Sequence, residues 1–138
     1  MSKDRSQDTP IFITGSVRSG TSIITQALIH GAGIPGYTEG CFIHFLGGFR
    51  KMVNEDITRR AAQLHDPRIM AAGVDYKKMM ESYRAWLKEE YYRWSVFEGQ
   101  WIDKTADIFM IHALPALERM WPQGKCIFMQ RRPIDNIL

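Results

Sequence analysis

Gly15 and Gly20 enclose Ser16-Val-Arg-Ser19 and are followed at once by Thr21 and Ser22, directly after the apolar run Ile11-Phe-Ile-Thr14. Two glycines at this spacing let a loop curve tightly and bring successive backbone N–H groups and a helix N-terminus around one small anion. In a nucleotide triphosphatase the residue after the second glycine is a lysine that sits on the β- and γ-phosphates, and here it is Thr21. The cation inside the loop is Arg18. A cradle kept while its cation has moved suggests a phosphate-like group other than the γ-phosphate of Mg-ATP. A second anion-binding feature follows the apolar run Lys125-Cys-Ile-Phe-Met-Gln130, which ends in Arg131-Arg132-Pro133. A guanidinium offers planar, bidentate recognition of phosphate. The carboxyl end of a strand is where an open parallel sheet places its ligand crevice. Two anion sites on neighbouring strands imply a ligand with two separated anionic ends.

The elements that must position these groups fall into three blocks. Ile11–Gly15 reads as a buried parallel strand, and Thr21–Ile29 as a helix terminated by His30-Gly-Ala-Gly33. Residues 42–97 are mostly helical in character, with breaks expected near Gly47-Gly48, Asp66-Pro67 and Gly73-Val-Asp75. Within them Met80, Tyr83, Trp86, Leu87, Tyr91 and Trp94 recur at three- and four-residue spacing, a stripe expected to be core or an interface rather than pocket lining. The third block holds Ile108–Met120, a turn at Trp121-Pro-Gln-Gly124 and the strand Lys125–Gln130. No linker or repeat divides the blocks, so residues 1–138 read as a single domain.

Composition agrees with a globular chain. Hydrophobic residues make up 45% and charged residues 24% of 138, with a net charge of +3, too small to identify a partner. The amino terminus is polar, and no run approaches the ~18 apolar residues of a membrane helix, so the expectation is a cytoplasmic protein without a membrane partner. Cys41 and Cys126 match no metal or redox spacing; Cys126 lies in an apolar run and is expected to be core. The four histidines show no metal-binding spacing, and Arg59-Arg60 and Lys77-Lys78 are too mixed with acids to suggest nucleic acid.

The ordered segments Gly15-Ser-Val-Arg-Ser-Gly-Thr-Ser22, Trp101-Ile-Asp-Lys-Thr105 and Ile127-Phe-Met-Gln-Arg-Arg-Pro-Ile-Asp135 resemble those of sulfotransferases that use 3'-phosphoadenosine 5'-phosphosulfate. The Arg-Ser-Gly-Thr form is closest to the bacterial and protein-tyrosine branches. The resemblance implies a P-loop α/β fold with a central parallel sheet, an inserted helical segment at 42–97 bordering the acceptor site, and no required metal. It also implies that Arg18, Ser19, Gly20, Thr21 and Ser22 hold the 5'-phosphosulfate and that Arg131 holds the 3'-phosphate. Lys104 resembles the lysine that contacts the transferred group. Where the cytosolic branch carries a histidine after its Lys-Thr pair, this chain has Ala106, whereas Glu39 occupies a place comparable to the glutamate base of the protein-tyrosine branch. His112, two helical turns further on, reads as a surface or packed histidine.

The family pattern also has a serine eight residues after the first arginine of its Arg-x-Pro motif. Counted from Arg131 this falls just past Leu138, so the chain reads as the N-terminal portion of such an enzyme. The implied acceptor is a small molecule or peptide bearing a hydroxyl or amine. Two other readings remain: a P-loop small-molecule kinase with Arg18 in place of the lysine, and a non-catalytic nucleotide-binding module.

Overall fold

The structure, a computed structural model, describes residues 5, 7–16, 18–60, 66, 68 and 73–130. Every residue of Ile11–Gly15 (β1) is buried, as a continuous apolar run demands when both faces of a parallel strand are covered. Strand β1 is flanked by Ile102–Lys104 (β3) and Lys125–Met129 (β4), and Gly36–Tyr37 (β2) adds to the far side of β3. All three pairings are parallel, in the order β2-β3-β1-β4. Ile13 lies opposite Lys104 and Gly15 opposite Met129, so β1, β3 and β4 finish close together at one edge.

The first helix, Thr21–Gln26 (α1), continues through a π-helical turn at Ala27–Gly31. It ends where Gly33 takes a left-handed φ of 68° and Ile34 N–H reaches back to the Leu28 carbonyl at 3.2 Å. The segment covers one face of the sheet, where Ile24, Leu28 and Ile29 pack over Ile11, Ile13 and Ile102.

The opposite face is larger and aromatic. Helices Ile43–Arg60 (α2), Tyr76–Trp94 (α3) and Ile108–Met120 (α4) bury Ile43, Leu46, Leu87, Tyr91, Met110 and Leu117 against Phe12, Trp101 and Trp121. Tyr91 stacks on Trp101 at 4.8 Å between ring centroids, and Phe12 meets Trp101 edge-on at 5.9 Å. Burying each such side chain contributes about 1.5–3 kcal/mol. The three-layer α/β arrangement is the one anticipated, including strand β4 and the full extent of α4.

Three expectations need correction or qualification. Helix α2 runs through Gly47-Gly48 without a break, because Ile43, Leu46 and Val53 on its inner side are anchored in the core. That burial outweighs the ~1 kcal/mol helix penalty of each glycine. Cys126 is exposed, since β4 has no described strand beyond it and its residues alternate between exposed and half-buried. The α3 stripe divides: Leu87 and Tyr91 are buried, while Trp86 and Trp94 are more than half exposed. The break before α3 falls where expected, with the Asp75 carboxylate accepting from Lys78 N–H at 3.0 Å as an N-cap. Of the expected break at Asp66-Pro67, Asp66 caps a local turn through Arg68 N–H, and Pro67 lies outside the described residues.

Candidate functional site

At the carboxyl edge of β1 the chain turns sharply. Ser19 N–H donates to the Ser16 carbonyl at 3.0 Å, Arg18 takes a left-handed φ of 64° and Gly20 one of 95°. Gly15 is required by close approach, because a Cβ there would collide with the Met129 carbonyl and meet Ser19 Oγ at 2.7 Å. Helix α1 then starts with Ile24 N–H donating to the Gly20 carbonyl. No side chain caps its first turn, and no acidic residue lies within it. The Ser19 hydroxyl is buried without a hydrogen-bond partner. Arg18 is exposed, which suits a side chain that meets a ligand rather than the core. Uncapped N–H groups, a nearby guanidinium and the absence of local acids make this loop electrostatically suited to a phosphate or sulfate group.

The edges of β2 and β3 bring two further predicted residues together. Lys104, the last residue of β3, extends its ammonium to the Glu39 carboxylate on the loop after β2. The Lys104 side chain is 5% exposed and that of Glu39 is 61% exposed, so the pair points a carboxylate outward over a buried cation. The register places Lys104 beside Ile13, on the face of the sheet that α1 covers. Arg131 lies outside the described residues; β4, which precedes it, runs beside β1. His112 is exposed on α4, with its carbonyl accepting from Arg50, in keeping with a surface histidine.

Residues not singled out in the sequence fix this geometry. Gly40 N–H donates to the Lys104 carbonyl at 2.9 Å, and Cys41 N–H donates to Thr105 Oγ1 at 3.2 Å. Thr105 Oγ1 in turn donates to Asp103 Oδ1 at 3.3 Å. A Cβ on Gly40 would overlap the Asp103 carboxylate, so the glycine lets the Glu39 loop lie flat on β3. Asp103 is itself 2% exposed. Burial pushes its carboxyl up to about 6; the Thr105 and Tyr91 hydroxyls oppose that shift and the Glu39 charge reinforces it. On the same sheet edge His44 Nε2 lies 3.5 Å from Asp107 Oδ2, at the starts of α2 and α4. The signal in the sequence was an Asp-Lys-Thr triplet placed directly after the apolar Trp101-Ile102.

The raised Asp103 carboxyl has a stability consequence with a definite sign. Between the ordinary value of 3.8 and about 6 the folded chain holds a proton that the unfolded chain has released. Stability contributed by this group therefore falls as pH rises through that window. Asp103→Asn removes the penalty while keeping an acceptor for Thr105. Urea unfolding is expected to show the variant gaining about 1–3 kcal/mol on the parent between pH 4 and pH 8. A stability difference that does not change with pH would contradict this.

Among the described residues no cluster of three or more potential metal ligands occurs, and no helix is long and apolar enough to cross a membrane. No curated protein matches the chain. A family model described as "Sulfotransferase family" matches residues 10–138, spanning the Gly15–Ser22 loop, the Glu39–Lys104 pair, β4 and the Arg131 segment. With the match covering all but the first nine residues, the chain belongs to the sulfotransferase family.

Proposed function

We propose that the protein transfers a sulfuryl group from 3'-phosphoadenosine 5'-phosphosulfate to a hydroxyl or amine acceptor. The observation that carries this reading is the Glu39–Lys104 pair, set at the sheet edge where β1 opens into an uncapped phosphate loop. The donor supplies an activated sulfuryl group on a phosphate leaving group, together with a second anionic end at its 3'-phosphate. The N–H groups at the start of α1, with Arg18, bind and orient the 5' end through preorganised dipoles and charge. Arg131 takes the 3'-phosphate, a role that rests on the resemblance. Glu39 accepts the proton of the attacking hydroxyl or amine through its exposed carboxylate. Lys104 holds that carboxylate in place and supplies positive charge where negative charge develops. The cation of this site is contributed by protein side chains, so binding of the nucleotide product is expected to persist in a chelator.

The helical segment at 42–97 borders the acceptor side in this reading, because α2 begins three residues after Gly40. The test is calorimetric titration with the product, adenosine 3',5'-bisphosphate. Arg18→Ala is expected to weaken binding by about 10- to 100-fold, the value of one charge-assisted hydrogen bond to an anion. Unchanged affinity would remove Arg18 from the donor site.

A further inference from the structure

A groove of about 620 Å³ runs along the solvent side of the helical layer, between α2, α3 and α4. Its floor is apolar, built from Leu46, Met80, Ala113 and Ala116. Four cations line it, Arg50, Lys51, Arg84 and Arg119, against one carboxylate, Glu55, which pairs with Lys51 at 3.8 Å. Arg50 is occupied in joining α2 to α4 through the His112 carbonyl. Arg84 and Arg119 have no carboxylate partner among the described residues, yet both face this groove and also an adjoining hollow of about 520 Å³. The adjoining hollow also holds Glu81 beside Lys77 and Lys88, so positive charge stays in excess around the two guanidiniums. Cations in excess over an apolar floor match an anion attached to an apolar body.

The position of the groove ties it to the proposed chemistry. Helices α2 and α4 both start at the carboxyl edge of the sheet, where His44 and Asp107 meet, and the groove opens one helical turn below that pair. Arg119 lies twelve positions along the chain from Asp107, about 18 Å at 1.5 Å per residue. We infer that the groove receives the tail of the acceptor. The acceptor is then an elongated amphiphile, with the reacting hydroxyl at the Glu39 end and a carboxylate, phosphate or sulfate at Arg84 and Arg119. This assignment rests on the function proposed above, and it specifies the acceptor class which that function leaves open.

The probe is 16-hydroxyhexadecanoate, whose extended chain exceeds the about 18 Å between Asp107 and Arg119, titrated calorimetrically into the protein with and without adenosine 3',5'-bisphosphate. Saturable one-to-one binding is expected in both cases, weakened at least tenfold in the Arg84→Gln/Arg119→Gln double variant and weakened similarly for the methyl ester. The exposed Cys41, two residues from Glu39, reports the other end: the bound hydroxy acid is expected to slow its alkylation severalfold and to leave that of Cys126 unchanged. Equal affinity of parent and double variant, or of acid and ester, would overturn the assignment. So would a decaglutamate peptide that binds where the hydroxy acid does not, since the groove would then serve an acidic polymer. Bisphosphate binding without hydroxy-acid binding removes the groove alone, whereas hydroxy-acid binding without bisphosphate binding removes the donor reading instead.

Discussion

Glu39→Gln is expected to leave adenosine 3',5'-bisphosphate binding within about twofold of the parent and to lower sulfuryl transfer by about 10²–10⁴, the usual contribution of a positioned general base. The substitution keeps the shape of the side chain and an oxygen that accepts from Lys104, so the buried ammonium retains a partner. What it removes is the capacity to take a proton. The effect should therefore appear in turnover and not in donor affinity, because Glu39 stands on the loop after β2 while the proposed donor cradle follows β1. Transfer of labelled sulfuryl from the donor to a set of hydroxyl and amine acceptors, run beside the calorimetric titration, separates the two. Donor affinity lost in proportion to turnover would make Glu39 a structural partner of Lys104. Turnover left intact would pass the role of base to another group, and His44, held against Asp107 on the same edge, is the first to examine.

Gly40→Ala carries the largest expected effect on the fold. The added methyl would overlap the Asp103 carboxylate, which cannot withdraw because it is buried and hydrogen-bonded by Thr105. Either the Glu39 loop lifts from β3, breaking the bonds from Gly40 and Cys41 N–H, or Asp103 is displaced within an aromatic core that includes Tyr91. A loss of about 2–4 kcal/mol is expected by urea unfolding, typical of overpacking combined with broken buried hydrogen bonds. The second-site change Asp103→Ala should restore at least half of that loss, because it empties the volume the new methyl needs. If the double variant is no more stable than Gly40→Ala alone, the collision with Asp103 is not what makes the glycine necessary.

The parts of this architecture that were legible in the sequence are those with long or chemically distinctive signals. Ile11–Gly15 and Lys125–Met129 are continuous apolar runs, and Ile108–Met120 is an apolar helix closed by a Trp-Pro-Gln-Gly turn. The tight loop at Gly15–Ser22 was visible because only glycines at 15 and 20 allow it. Strands β2 and β3 are two and three residues long, too short for a periodicity to register, and their pairing depends on tertiary packing against β1. The meeting of Glu39 and Lys104, 65 residues apart, follows from that pairing; the family resemblance pointed to each residue but not to their contact. Gly47-Gly48 misled because the local preference of two glycines was overruled by the neighbours of Leu46. Asp103 escaped notice because a buried carboxylate looks, in a sequence, like any surface acid.

The loop at Gly15–Ser22 is proposed to serve a sulfuryl-donor nucleotide rather than a nucleoside triphosphate. Titrating the same protein with adenosine 3',5'-bisphosphate in a chelator, and separately with ATP and Mg²⁺, tests it most directly. Saturable bisphosphate binding is expected without metal, at least tenfold tighter than that of Mg-ATP. Tighter binding of Mg-ATP, with bisphosphate binding absent or dependent on Mg²⁺, would contradict it and identify the loop as a phosphoryl-donor site.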